Sequence, residues 1–219
     1  MDCGLAVRSF ATASDMWVGP LTKVLFDPMP EKQVHFIRHA QSKHNARAEL
    51  VADETSVRMD PTLRDAPLTD LGHAQARALA PSIARLVGIE LVVVSPLTRA
   101  IQTMQHAFAH SPAQRLVLDL HREYQHSFCD IGQRPMELAK CFPDLAFDHL
   151  ADPWWLMPSD HPGPFAIETM EMLDARLVAF RSWLEARPER EIAIVGHGTF
   201  LNRLTGHWYD NTTLITVSL

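Results

Sequence analysis

No stretch of this 219-residue sequence approaches the roughly 20 consecutive apolar residues of a membrane-spanning helix. Its beginning also lacks the continuous apolar run of a secretory signal, and Asp2 and Asp15 break the acid-poor pattern of an organelle transit peptide. A soluble, cytoplasmic chain with no membrane partner is therefore expected, with organelle targeting by the N-terminal segment as the lesser reading. Cysteine is scarce as well: Cys3, Cys129 and Cys141 are odd in number and not at metal-ligand spacing, which predicts reduced intracellular thiols rather than a disulfide framework. Excess positive charge is missing too. With 20 Lys and Arg against 26 Asp and Glu, the formal charge is −6. That balance speaks against a nucleic-acid partner, and it makes arginines gathered in motifs stand out as local positive charge for a small anionic ligand. No internal repeat or low-complexity tract is present, and 47% hydrophobic content at this length suits one compact domain. The oligomeric state is not set by anything in the composition.

What the sequence does contain is strands alternating with helices. Gln33 to Ile37 predicts the first strand, and the polar stretch from Gln41 to about Leu50 a helix whose N-terminus faces a site. Thr69 can cap a helix in which Leu71, Gln75, Leu79, Ile83 and Leu86 recur at helical spacing up to Gly88. Ile89 to Val94 reads as a buried strand, Leu97 to His110 as a helix and Arg115 to Leu118 as a strand. Met170 to Glu185 is a helix ended before Pro188, and Ile192 to Val195 and Leu214 to Val217 are further strands. The alternation predicts an α/β fold, a three-layer αβα sandwich around a mostly parallel central sheet. Residues 1–32 read as an N-terminal extension and 33–219 as the main domain. Phe142 to Phe165, with Pro143, Pro153, Pro158, Pro162, Pro164 and the Trp154-Trp155 pair, reads as a cap-like insertion poor in regular structure. Its tryptophans either shape a ligand pocket or pack on the core.

Three strand ends carry the chemistry. Val34-His35-Phe36-Ile37 delivers Arg38-His39 into a polar turn, and Ser95-Pro96-Leu97-Thr98-Arg99-Ala100 and Val195-Gly196-His197-Gly198 repeat the arrangement. Open α/β sheets bind ligands outside the carboxyl ends of their strands. A phosphate ester carries roughly −1.5 to −2 charges near neutral pH, and the guanidinium forks of Arg38 and Arg99 suit bidentate contact with its oxygens. A neutral imidazole can act as a covalent nucleophile, a part open to His39 or His197 on these grounds alone.

Together with Asp65-Ala66-Pro67-Leu68-Thr69-Asp70-Leu71-Gly72, these segments resemble the histidine phosphatase superfamily, the phosphoglycerate mutase-like proteins, in motif content and order from about Val34 to Thr205. The resemblance implies the phosphoglycerate mutase-like fold, phosphorylation of His39, and a phosphoryl-binding, transition-state-stabilising role for His197. It also implies Arg38, Asn45 and Arg99 as phosphate contacts, with neither metal nor other cofactor. Ser42 matches a phosphate-holding position too, although N-capping explains it equally well. Glu123, after the predicted third strand, stands where the family carries its acidic proton donor, with Asp130 as the rival in the same loop. Arg64 and Arg122 either reach the ligand or form surface salt bridges.

Two departures refine the expectation. Ala40 stands where the family usually has glycine, and Gln125-His126-Ser127-Phe128-Cys129-Asp130 does not match the Tyr- and Gly-rich motif of cofactor-dependent phosphoglycerate mutases. Phosphatase action on a small phosphomonoester is expected, with mutase-type phosphoryl transfer or a catalytically inactive binding member as the other readings. The 12 histidines include His106 and His110 at i, i+4 spacing, but a zinc-protease motif would place a carboxylate between them.

Overall fold

The computed structural model describes residues 32–158 and 165–219. The extension expected over 1–32 lies outside the described residues save for Lys32, as do residues 159–164 of the Pro- and Trp-rich segment. In chain order the elements are β1 (Gln33–Arg38), α1 (Lys43–Ala48), α2 (Thr55–Arg58), α3 (Asp70–Ala78), α4 (Ala80–Ile83), β2 (Leu91–Val94) and α5 (Thr98–Ala107). There follow β3 (Gln114–Val117), α6 (Pro135–Cys141), α7 (Met170–Glu185), β4 (Glu191–Gly196), α8 (Gly198–Thr205) and β5 (Leu214–Ser218). Single turns of 3₁₀ helix lie at Pro61–Leu63 and Phe128–Asp130.

The strands form one sheet in the order β3-β2-β4-β1-β5, parallel except for β5, which runs antiparallel to β1. β2 is Leu-Val-Val-Val and buried throughout, as a parallel strand covered on both faces must be. Its period of two sends Val92 and Val94 to one face, where they pack with Leu79, Ile83, Ile101 and Met104. Leu91 and Val93 join Leu173, Phe180 and Phe200 of α7 and α8 on the other. Phe180 is fully buried and meets Phe36 and Phe200 ring to ring, so its truncation to Ala should cost about 3–5 kcal/mol.

The αβα expectation agrees with this architecture, and several boundaries differ for physical reasons. The helix expected to run through Leu86 is interrupted at Leu79 and restarts as the short α4, with Pro81 in its first turn; proline has no N–H for the ladder and clashes with the preceding turn. Leu71, the first residue of that repeat, is 55% exposed. α6 was not expected, although Pro135 at its first turn is a helix-start signal. The Trp154 and Trp155 rings meet edge to face inside the core, and Trp154 donates its indole N–H to the Gln133 carbonyl. Residues 142–158 contain no helix or strand.

The register positions the site. Arg38 lies beside Gly196 and Val94 beside Val195, so the carboxyl ends of β1, β4 and β2 finish level. Because β4 sits between β1 and β2, His39 and His197 leave the sheet side by side. The turn after His39 is pressed against the start of α3: a Cβ on Gly72 would come within 2.0 Å of the Gln41 carbonyl oxygen, so only glycine fits. No helix among the described residues is long and apolar enough to cross a membrane.

Candidate active site

His39 is buried at the end of β1 and held at both ring nitrogens. Nδ1 lies 2.7 Å from the Ala40 carbonyl oxygen, and Arg99 Nε donates to Nε2 at 3.2 Å. The carbonyl requires a proton on Nδ1, which leaves the lone pair on Nε2. Its own backbone carbonyl accepts from the Asn211 side chain at 2.7 Å, and Ala40 N donates to Thr103 Oγ1 at 3.0 Å. Burial, with Arg99 and Arg38 beside it, holds the His39 pKa well below that of a free imidazole. His197 is displaced in the same direction by burial and by Arg99. Both rings are therefore neutral near pH 7. Their centroids stand 5.2 Å apart; His197 Nε2 bonds Ser95 Oγ at 2.7 Å, while its Nδ1 is buried with no protein partner.

Arg99, 3% exposed, is fixed by donating to the Cys129 carbonyl at 2.6 Å and to Asp130 Oδ1 at 3.0 Å. Against the cost of burial, the hydrogen bond from His126 and the Arg99 guanidinium hold Asp130 below the usual carboxylate range. Arg38 donates to the Tyr209 carbonyl, and its Nε is buried without a partner. Glu123 Oε1 accepts from Tyr124 N and Phe200 N, at 2.8 and 3.1 Å, and Oε2 from Thr199 N at 3.1 Å. These three N–H groups, two of them in the first turn of α8, fix the position of the Glu123 side chain.

Arg38, His39, Asn45, Arg99 and Glu123 line one cavity of about 290 Å³. Two larger hollows, of about 380 and 470 Å³, are lined mainly by apolar side chains such as Ile83 and Leu86 or Phe180 and Leu184 and hold none of these groups. The Cys129 thiol also borders the site, but burial and Asp130 push its pKa well above the ordinary range, so it offers no competing thiolate.

The remaining sequence candidates divide clearly. Ser42 caps α1: its Oγ accepts from Asn45 N at 3.2 Å, and Asn45 Oδ1 accepts from Ser42 N at 3.1 Å. The carbonyl end of Asn45 is thus committed to the cap, and its amide nitrogen is the end left for the cavity. Asp130 serves Arg99 directly. Arg64 lies over the Trp155 ring and donates to Gly132 O, and Arg122 pairs with Glu168 at 3.5 Å; neither lines the cavity. His106 faces His73 at 2.9 Å across α3 and α5, away from the site.

A cavity at the carboxyl ends of a parallel sheet, with buried Arg99 and half-buried Arg38 beside the neutral ring of His39 and the His197 ring packed next to it, can now be set beside known proteins. The model of the histidine phosphatase superfamily (branch 1) matches residues 34–214. The chain belongs to that superfamily. A phosphoglycerate mutase-like protein of Arabidopsis thaliana is 32% identical over 209 residues, covering 79% of this chain and 73% of its own. A Schizosaccharomyces pombe protein named as a probable phosphatase is 29% identical over 176 residues, covering 77% and 74%. The solved structure of the alpha-ribazole phosphatase from Shigella flexneri superposes with a TM-score of 0.56 at 18% identity over 84% of this chain and 89% of that one, a likeness of fold.

Several residues that support this candidate site were not singled out from the sequence. Ser95 and Asn211 support His197 and His39 from distant segments. Arg176 of α7 forms two bonds with Glu168, at 2.8 and 2.7 Å, and donates to the carbonyls of Leu120, Arg122 and Glu123. This buried fork clamps the backbone that presents Glu123. Its only sequence signal was an arginine on an otherwise apolar helical face.

Proposed function

We propose that the protein is a phosphatase that hydrolyses a small phosphomonoester through a phosphohistidine at His39. The lone pair on His39 Nε2 attacks phosphorus as the ester P–O bond breaks, and Glu123 delivers a proton to the departing alkoxide oxygen. Water then attacks the phosphohistidine, returns a proton to Glu123 and releases inorganic phosphate and neutral His39. Arg38 and Arg99 hold the phosphoryl oxygens and neutralise their charge.

One observation carries this reading: the orphaned Arg38 Nε and His197 Nδ1 are buried polar atoms that flank His39. Leaving such a group unsatisfied costs about 1–3 kcal/mol, and phosphoryl oxygens would supply both acceptors. His197 then stabilises the transition state, and the Asn45 amide adds a further donor. In this reading the enzyme acts in the cytoplasm without a metal ion, from a catalytic domain over 33–219. Phosphatase action is favoured over mutase transfer by the loop from Gln125 to Asp130, whose backbone and carboxylate are occupied with Glu168, His126 and Arg99.

Rapid quenching with ³²P-labelled substrate should trap an acid-labile, base-stable phosphoenzyme that vanishes in His39→Ala. Label persisting in that variant, or residing on His197, rejects the scheme.

A further inference from the structure

Beyond the groups that would hold the phosphoryl moiety, the cavity wall is formed by His44, Glu54, Arg58, His126 and Trp208. Trp208 is 69% exposed at this wall, in the loop between α8 and β5. A large indole face left in water beside a polar cavity is a surface that an apolar ligand face can cover. His44 contributes a second, independent feature: its Nε2 is buried and has no partner. Burial and nearby Arg99 lower its pKa, so its ring is neutral and offers a hydrogen bond without charge.

The charges on this wall are already compensated. Arg58 pairs with Glu54 at 3.2 Å, and His126 lies 3.4 Å from Asp130. Arg38, which has no carboxylate partner among the described residues, and Arg99, which shares Asp130 with His126, are the cations beside His39, and a phosphoryl group takes both. A second acidic group on the substrate, such as the carboxylate of a phosphorylated hydroxy or amino acid, would find no free cation and would face Glu54. On this half-exposed wall, with Arg58 and Glu54 at 45% and 48% exposure, such a carboxylate gains no ion pair and is repelled by Glu54.

Building on the phosphatase reading, we propose that the alcohol half of the substrate is a neutral, hydroxyl-bearing ring. The ring lies flat on Trp208, and its hydroxyls bond His44 and the Glu54 carboxylate. A sugar phosphate and a nucleoside monophosphate share this chemistry, whereas phosphoglycerate and phosphoserine do not.

The test compares kcat/KM for glucose 6-phosphate and adenosine 5′-monophosphate with that for 3-phosphoglycerate and O-phosphoserine, using ethyl phosphate as the ringless reference. At least one ring ester should exceed both carboxylate esters by about tenfold or more, and which of the two does so identifies the ring. In Trp208→Ala the ratio of ring ester to ethyl phosphate should fall roughly tenfold, the scale of an aromatic stacking contact, and Trp208→Phe should restore most of it. A preference for either carboxylate ester, or an unaltered ratio in Trp208→Ala, overturns the inference. If no ester is hydrolysed, the phosphatase reading fails, and calorimetric titration of the same compounds decides the ring preference separately. Tighter binding of a ring ester that weakens in Trp208→Ala supports it; equal or tighter binding of the carboxylate esters refutes it.

Discussion

Replacing Asp130 by Asn probes the electrostatics of the site without touching the reacting atoms. Asp130 and Arg99 form an ion pair at 3.0 Å with both side chains at 3% exposure or less. The amide of Asp130→Asn can still accept one hydrogen bond, but it carries no charge, so a buried guanidinium loses its counterion. Removing one partner of a buried pair costs about 3–5 kcal/mol, and the retained acceptor argues for the lower end, near 3 kcal/mol. For a domain of this size that corresponds to a fall in Tm of roughly 10 °C.

The same Arg99 should recover its compensation when an oxyanion binds, because a phosphate oxygen can take the place of the lost carboxylate. Saturating inorganic phosphate should therefore narrow the stability gap by about 1.5–3 kcal/mol, the worth of a charged hydrogen bond. Urea unfolding of both proteins, with and without phosphate, reads the two gaps directly. A gap that is unchanged or wider with phosphate would mean that Arg99 does not face the bound anion.

Three further outcomes are expected. Burial lowers the His121 pKa to about 3; since the unfolded chain takes up that proton near pH 6.5, stability should be full above pH 6.5 and decline toward pH 3. Over the interval from pH 6.5 to 5 the loss is about 2 kcal/mol at 1.36 kcal/mol per pH unit, and urea unfolding of His121→Phe should show that slope removed; an equal slope in both proteins would contradict it. Arg176→Lys keeps the charge but loses the fork on Glu168, so the backbone at Glu123 should loosen: kcat on an alkyl phosphate should fall roughly tenfold or more, with p-nitrophenyl phosphate, which leaves without a proton, affected much less. Equal losses on the two esters would reduce Arg176 to a purely structural part. Because the His39 pKa lies well below that of free imidazole, the acid limb of kcat/KM that reports this nucleophile should fall below pH 6.5; a stopped or steady-state pH profile breaking at or above 6.5 with loss of the His39 phosphoenzyme would contradict the burial argument.

Local signals made much of this structure legible. The β-branched runs at Val92-Val93-Val94 and Ile192 to Val195 betrayed buried strands, and Thr69 and Thr169 cap α3 and α7 as their types suggest. Arg38, His39, Arg99, Glu123 and His197 were visible because each ends a strand or lies in the segment after one, where side chains meet at the sheet's carboxyl edge. What the sequence hid depends on tertiary contacts. Asp130 looked like a possible acid because nothing in Cys129-Asp130-Ile131 announces that Arg99, on α5, will claim its carboxylate. The clamp from Arg176 joins α7 to the loop after β3, and no spacing rule connects those segments. Leu79 and Ile83 kept a helical period across Ala80-Pro81, so periodicity outvoted the local steric effect of proline.

The position of β1 in the sheet has a consequence for the order in which the molecule can be assembled. β1 precedes the other strands in the chain, yet its neighbours are β4 and β5. While the ribosome is still making residues 39 to 190, the strand bearing Arg38 and His39 has neither edge paired. β2 and β3, by contrast, can pair as soon as residue 117 has emerged. Asn211 and Tyr209, which touch His39 and Arg38, and Trp208, which borders their cavity, arrive later still. Such long-range closure slows folding and exposes strand edges to other chains. A nascent chain that stalls before residue 191 would display an apolar, unpaired β1, making it a natural client for chaperones, and would have no catalytic competence until its last strand docks.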